Sequence, residues 1–146
     1  MRFSGVEKIP ASRQRVWQFL TNPDVVATCV PDVESLEVVD PSHFKATVKA
    51  GIGPVRGTFG FDVAWEELTE PSRARMSARG KTGGSAVTVA STMDLAETGD
   101  DETELAWNAD VVVHGMIASV GARLLDGFAK KQTEQFFGCI RSKLSG

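Results

Sequence analysis

Few side chains of this sequence have the type and spacing that metal binding requires. His43 and His114 are its two histidines, and neither belongs to a cluster of carboxylates or cysteines. Cys29 and Cys139 are far apart and lack a C-x-x-C spacing. We therefore predict no metal site and no cofactor, and we interpret the two cysteines as reduced, buried thiols.

Other candidate chemistry lacks the partners that catalysis needs. Ser91 is the one polar residue predicted in the middle of an inward strand face, and no adjacent base is present to activate it. Glu67 continues the inward alternation of its strand but falls at the strand's end, at a rim. The run GIGPVRG at 51–57 resembles a glycine-rich phosphate loop, but a strand follows it where a dinucleotide site needs a helix. The sequence therefore predicts a protein that is not an enzyme.

Length, composition and charge limit the classes of function. A chain of 146 residues fits one globular domain, which we assign to residues 1–146. The net charge of −3 gives no basic footprint for phosphates, so nucleic acid is not expected as a partner. The N-terminal residues lack the apolar run of a signal peptide, and no stretch of about 18 apolar residues occurs. These features, with the reduced thiols, predict a cytoplasmic location.

The elements that must position any site begin with a strand and two short helices. RFSGVEKI has strand character and ends before Pro10, and Ser12 is an N-cap candidate for the first helix. The Asn22-Pro23 pair closes that helix before a second helical turn around residues 25–28.

From Val33 onward the hydrophobic period is two, which predicts successive antiparallel strands with one dry face and one wet face. We expect Lys45, Lys49, Arg75 and Arg79 to point to water. The inward residues are, in chain order, Phe44, Ala46, Val48, Ala50, Val55, Gly57, Phe59, Phe61, Val63, Trp65, Ala74, Met76, Ala78, Gly80, Val87, Val89, Ser91, Met93, Leu95, Leu105, Trp107, Ala109, Val111 and Val113.

The stretch at 115–137 reads as one long helix that covers the dry face of the sheet. Its predicted apolar stripe consists of Ile117, Val120, Gly121, Leu124, Phe128 and Phe136. The front of this helix is built from small residues and its end carries two phenylalanines, while the sheet mixes aromatic residues with glycine and alanine. Such unevenness is compatible either with an interdigitated, filled core or with an internal cavity.

The local sequence resembles the carbon monoxide dehydrogenase G-subunit family over essentially the whole chain. The resemblance lies in VWQFLTNPDVVATCVPDVESLE (16–37), GPVRGTFGFDV (53–63), GKTGGSA (80–86) and ETELAWNADVVVHGMIASVGARLLDGFAKKQTEQFF (102–137). It implies an α+β helix-grip fold of the START-like or polyketide-cyclase-like superfamily: a curved antiparallel sheet of about seven strands, wrapped on a long C-terminal helix, with two short helices after the first strand. Asp32 departs from the glycine that the family usually has there, and this departure affects the expected shape of the loop.

The resemblance also implies a function. It predicts an accessory protein of a carbon monoxide dehydrogenase-type molybdenum hydroxylase that binds an apolar ligand, such as an isoprenoid quinone or another lipid, with peripheral contact at the inner face of the membrane. The alternatives are a START-like cyclase or hydrolase, and a pure interaction module with a filled core. The oligomeric state is left open. From the inward faces we predict that the ligand contacts Phe59, Phe61, Trp65, Met76, Ala78, Val89, Ser91, Met93, Trp107, Ala109, Ile117, Val120, Gly121, Leu124 and Phe128.

Overall fold

Residues 1–145 are described by the computed structural model, and they form a seven-stranded antiparallel sheet with a long helix on one face. Gly146, the last residue of the predicted domain, lies outside the described residues. The spatial order is β1-β7-β6-β5-β4-β3-β2. The strands are β1 (Arg2–Ile9), β2 (Val33–Asp40), β3 (His43–Ile52), β4 (Val55–Thr69), β5 (Arg73–Thr82), β6 (Ser85–Gly99) and β7 (Glu102–Gly115).

The helices follow local capping signals. α1 (Arg13–Thr21) begins after Ser12, whose Oγ accepts a hydrogen bond from Arg15 N at 3.3 Å. α2 (Pro23–Val26) continues into a 3-10 turn at Ala27–Cys29. The two short helices predicted after the first strand are therefore confirmed.

The long C-terminal helix differs from the predicted 115–137. β7 runs to Gly115, a 3-10 segment follows at Met116–Val120, and α3 spans Ala122–Leu144. Gly115 and Gly121 have φ values of 80° and 93°, a region that favours glycine, and they separate these three elements. The predicted front of the helix is thus a 3-10 segment, and the helix itself runs seven residues further than predicted.

The strand alternation is confirmed by the register of the sheet. Trp65 pairs with Met76, and Trp107 pairs with Met93, so these large side chains lie on the face that carries α3. Residues predicted to point to water, namely Lys45, Lys49, Arg75 and Arg79, are exposed. A slip of one residue would have placed every one of these side chains on the opposite face, so their observed positions confirm the expected register.

Glu67 does not continue the inward face of β4, and this prediction was wrong. The register shifts between Trp65 and Glu67, which is the sign of a β-bulge. Glu67 therefore pairs with Arg75 on the outer face, where its carboxylate lies 3.8 Å from Arg75 Nη1 and 3.9 Å from Arg73 Nε. One extra residue in the strand was enough to change its side.

Cys29 and Cys139 form a disulfide, so the prediction of reduced thiols was wrong. They are 110 residues apart in sequence, but their Cα atoms lie 5.4 Å apart. The fold brings the 3-10 turn that ends at Cys29 against the C-terminal half of α3. The distance between the two cysteines along the chain therefore did not indicate their distance in space. Because the cysteines are not reduced, they no longer support the predicted cytoplasmic location.

The apolar core is divided into two clusters at opposite ends of α3. The α1 cluster is formed by Ile9, Ala11, Val16, Trp17, Phe19, Leu20, Cys29, Ala74, Leu95, Leu105, Phe137, Ile140 and Leu144. The β3–β4 cluster is formed by Ile52, Val55, Phe59, Ile117 and Leu125. Each cluster excludes water and fixes one end of the helix, so the middle of α3 spans the sheet between two packed regions.

A polar contact adds to the fixation of α3 at the α1 cluster. Arg141 donates from Nη2 to Glu7 Oε1 at 2.6 Å and from Nε to the Lys8 carbonyl at 2.9 Å. Both acceptors belong to β1, on the edge of the sheet. The last turns of the helix are thereby joined to the sheet edge by a charge-assisted pair.

Candidate ligand-binding cavity

A cavity of about 550 Å³ lies between the inner face of the sheet and α3. Its lining combines the inward residues of β3 to β7, the segment that follows α1, and one face of α3. Of the 38 lining residues, 33 are apolar, and the five others are Asp32, Lys49, Ser91, Gln132 and Thr133. The volume lies in the range of about 300 to 1,000 Å³ that is typical of ligand pockets, whereas a filled core leaves few voids larger than a water.

Eleven of the fifteen predicted ligand contacts line this cavity. They are Phe59, Phe61, Trp65, Met76, Val89, Ser91, Met93, Trp107, Ala109, Ile117 and Phe128. The inward faces of β4, β5, β6 and β7 supply nine of them, and alternation within strands was the signal that identified these nine. Their contact with a ligand stays a prediction.

Four predicted contacts lie elsewhere. Leu124 is 50% exposed, and Leu125 faces inward in its place, because the break at Gly121 resets the phase of the helix. Gly121 is itself exposed. Val120 packs against the β3–β4 cluster. Ala78 is buried in the sheet at 6% exposure and does not line the cavity.

One wall of the cavity was not predicted as part of the site. It is formed by the segment after α1, whose lining residues are Pro23, Val26, Ala27, Val30, Pro31, Asp32 and Val33. This segment has no hydrophobic period of 2 or 3.6, so pattern analysis gave no signal there. Asp32 has φ 62°, a left-handed conformation that favours glycine and that aspartate adopts more readily than most residues.

Aromatic rings cover glycines on two pairs of strands. The ring of Phe61 lies over Gly80, its cross-strand neighbour, and the indole of Trp107 lies over Gly5. The glycines therefore let large rings lie close to the sheet, which leaves the space above the rings open. Trp107 Nε1 is buried and has no hydrogen-bond partner within residues 1–145. Trp107 thus offers the cavity an aromatic surface, while its N–H is buried beside Gly5.

Phe136 and Phe137 border the cavity beside the α1 cluster. Phe137 stacks on Trp107 with ring centroids 6.1 Å apart, and Phe136 meets Phe137 edge to face at 5.1 Å. Such ring pairs add stabilisation beyond the area that they bury. The two phenylalanines therefore form a packed aromatic wall at this end.

Polar groups of the lining are few and mostly uncharged. Thr133 uses its hydroxyl within the helix, where it donates to the Ala129 carbonyl at 2.8 Å. Ser91 on β6 and Gln132 on α3 are the other uncharged polar side chains that border the space. The lining therefore suits a mainly apolar molecule that carries one or two hydrogen-bonding groups.

Neither His43 nor His114 lines the cavity. His43 is exposed, and its Nδ1 lies 2.9 Å from Asp40 Oδ1 at the β2–β3 turn. The hydrogen bond with His43, followed by the one from Ser42 N, lowers the pKa of Asp40 below its usual value. Within residues 1–145, no three His, Cys, Asp or Glu side chains are grouped to hold a metal ion.

A model of the carbon monoxide dehydrogenase G-subunit (CoxG) family matches residues 5–145. No curated protein matches the chain significantly. Among residues 1–145, no helix is both long enough and apolar enough to cross a membrane.

Solved structures share the fold over nearly the whole chain. A conserved protein from Geobacillus kaustophilus is 25% identical, with a TM-score of 0.93, over 99% of this chain and 95% of that one. A START superfamily protein from Mycobacterium smegmatis is 14% identical with a TM-score of 0.75, over 99% and 97%. The Zhui aromatase/cyclase from Streptomyces sp. R1128 is 12% identical with a TM-score of 0.72, over 99% and 93%. The fold is therefore START-like.

Proposed function

Because this chain belongs to the carbon monoxide dehydrogenase G-subunit family, we propose that it binds an isoprenoid quinone or a similar lipid in its cavity, without catalysis, as an accessory protein of a carbon monoxide dehydrogenase-type molybdenum hydroxylase. The observation that carries the proposal is the cavity of about 550 Å³ with its apolar lining. Burial of apolar ligand surface at about 25 cal/mol per Å² provides the driving force, less the cost of association.

The lining matches the chemistry of a quinone in two ways. A quinone ring is flat and carries two carbonyl acceptors, and it needs aromatic or thioether surface with few donors. Trp65, Trp107 and Met93 supply such surface, while Ser91 and Gln132 can donate to a carbonyl. The tail needs only apolar walls, which the valines of β6 and β7 supply.

Two alternatives make different demands. A cyclase or hydrolase needs an acid, a base or a nucleophile held next to the reacting atoms. The two charged residues of the lining, Asp32 and Lys49, are instead exposed to water. A pure interaction module would be expected to have a filled core, so the cavity disfavours this alternative. We therefore expect no turnover of ester, thioester or polyketide substrates.

The partner and the location belong to the same proposal. Family membership supports association with a molybdenum hydroxylase and peripheral contact with the cytoplasmic face of a membrane. Release of an apolar ligand to a partner enzyme would need no catalytic group in this chain, which fits the chemistry of the lining.

The test is a titration with a naphthoquinone that carries one isoprenoid unit, followed by tryptophan fluorescence. Trp65 and Trp107 border the cavity, so a bound quinone should quench them. Ala109→Leu adds three carbons inside the cavity, and we expect the dissociation constant to rise at least about tenfold, or 1.4 kcal/mol. Ala90→Leu is the matched control, since Ala90 is exposed on the outer face of the neighbouring strand.

Saturable quenching that Ala109→Leu weakens and Ala90→Leu leaves unchanged would support an internal site. Absence of quenching in the parent protein, or equal quenching in all three proteins, would contradict the proposal. Release of product from an ester or thioester, lost on substitution of a cavity residue, would favour the enzyme alternative.

A further inference from the structure

The disulfide lies where the two walls of the cavity approach each other. Cys29 ends the 3-10 turn after α2, and residues on both sides of it, among them Val26, Val30 and Val33, line the cavity. Cys139 belongs to α3, two residues after Phe137, which also lines it. A single covalent bridge thus connects the segment at 26–33 with the helix that covers the space.

Few other bonds connect these two walls. Lys143 Nζ donates to Thr28 Oγ1 at 2.7 Å, but this contact is exposed to water and contributes little. Residues 30–32 belong to no helix or strand, and Asp32 O accepts one backbone hydrogen bond, from Lys49 N at 3.0 Å. Val30 is 36% exposed. Without the disulfide, the segment would be held mainly by side-chain packing, which favours local opening.

We propose that Cys29–Cys139 is a reversible redox modification site that controls how fast a ligand enters and leaves the cavity. The inference rests on the proposed function only in requiring a ligand that exchanges. Oxidised protein holds the segment at 26–33 against α3 and exchanges ligand slowly. Reduced protein opens this wall by local motion and exchanges ligand rapidly.

The chemical step is thiol–disulfide exchange with a dithiol reductant. Cys29 is 4% exposed and Cys139 is more accessible, so the thiolate of the reductant attacks the Cys139 sulfur and expels the Cys29 thiolate. The second thiol of the reductant then attacks the mixed disulfide and releases Cys139. Two electrons pass to the protein, which gains two thiols with the two protons of the dithiol, and the reductant becomes a cyclic disulfide.

The test compares oxidised protein with protein that has been reduced by dithiothreitol and then freed of the reagent by gel filtration under anaerobic conditions, because dithiothreitol would also reduce the quinone probe. The dissociation rate of the naphthoquinone probe is measured by stopped-flow recovery of tryptophan fluorescence, and amide hydrogen exchange is measured at residues 26–33 without ligand. We expect reduction to raise the dissociation rate by about tenfold or more and to accelerate exchange in this segment. The double variant Cys29→Ser with Cys139→Ser should show the fast rate with or without the same treatment with dithiothreitol before the probe is added.

Leu144→Ala provides the matched control, because it weakens the same end of α3 but keeps the disulfide. Its dissociation rate should stay near that of the oxidised parent. Equal rates in oxidised and reduced protein, or an equally fast rate in Leu144→Ala, would overturn the inference, since loss of stability alone would then explain the effect. Absence of probe binding in both redox states would refute the proposed function. The amide hydrogen exchange would then decide the redox inference, and equal exchange at residues 26–33 in oxidised and reduced protein would overturn it.

Discussion

Replacement of Gly80 by alanine tests whether the space above the Phe61 ring is real. An ideal Cβ at Gly80 would overlap Phe61 Cε1, the nearest atom, and would lie 2.5 Å from Cζ and 2.8 Å from Cδ1. Ordinary contact begins at 3.4 Å, so the ring must move by at least about 0.9 Å, the difference between 3.4 and 2.5 Å. Because Phe61 lines the cavity, the ring can move away from the sheet into open space.

The expected change in the free energy of unfolding is small because two effects oppose each other. Moving the ring off its preferred rotamer costs about 0.5 to 1.5 kcal/mol. Alanine in place of glycine within a strand restores about 0.5 to 1 kcal/mol. We therefore expect Gly80→Ala to stay within about 1 kcal/mol of the parent protein. With no room for the ring, overpacking would cost about 1 to 3 kcal/mol before that gain.

Urea denaturation of the parent protein, Gly80→Ala and Gly60→Ala measures these terms. Gly60 lies in the neighbouring strand and a Cβ there would meet no atom within 4 Å, so its variant reports the backbone gain alone. The difference between the two variants is then the cost of displacing the Phe61 ring. A difference above about 1.5 kcal/mol, the largest cost expected for a ring that has room to move, would refute open space above the ring. The displaced ring should also weaken binding of the naphthoquinone, whereas Gly60→Ala should not.

Two further measurements test other features of the structure. Reduction of the disulfide opens a loop of 110 residues, and the chain-entropy model gives a loss of up to about 4.8 kcal/mol in the free energy of unfolding. Urea denaturation measures this loss, and a value below about 1 kcal/mol would contradict the presence of the disulfide. His43→Ala removes the hydrogen bond that is the main cause of the lowered pKa of Asp40, so this pKa should rise toward 3.8. A carboxyl-carbon NMR titration measures it, and an unchanged pKa would show that His43 does not cause the shift. Since the folded pKa is lowered, the stability that Asp40 contributes is present above the unfolded pKa and is lost as the pH falls through the folded value.

Much of the fold and most of the sheet's contribution to the site could be predicted from the sequence. Inward and outward side chains alternate along a strand as a local property of the extended backbone, so Phe61, Trp65 and Trp107 could be placed before any contact was known. Turn signals between the alternating runs separated the successive strands. The fold class also followed from the resemblance to the family, which the match over residues 5–145 confirms.

Only the tertiary structure decided the remaining features, because each depends on distances between elements or on a single irregular residue. The break at Gly121 rotated Leu125 inward in place of Leu124, and the bulge after Trp65 moved Glu67 to the outer face. The approach of Cys29 to Cys139 depends on packing between segments that are 110 residues apart. The sequence allowed both a filled core and a cavity. The cavity exists because two packed clusters hold the ends of α3, and the side chains between them do not fill the space that remains.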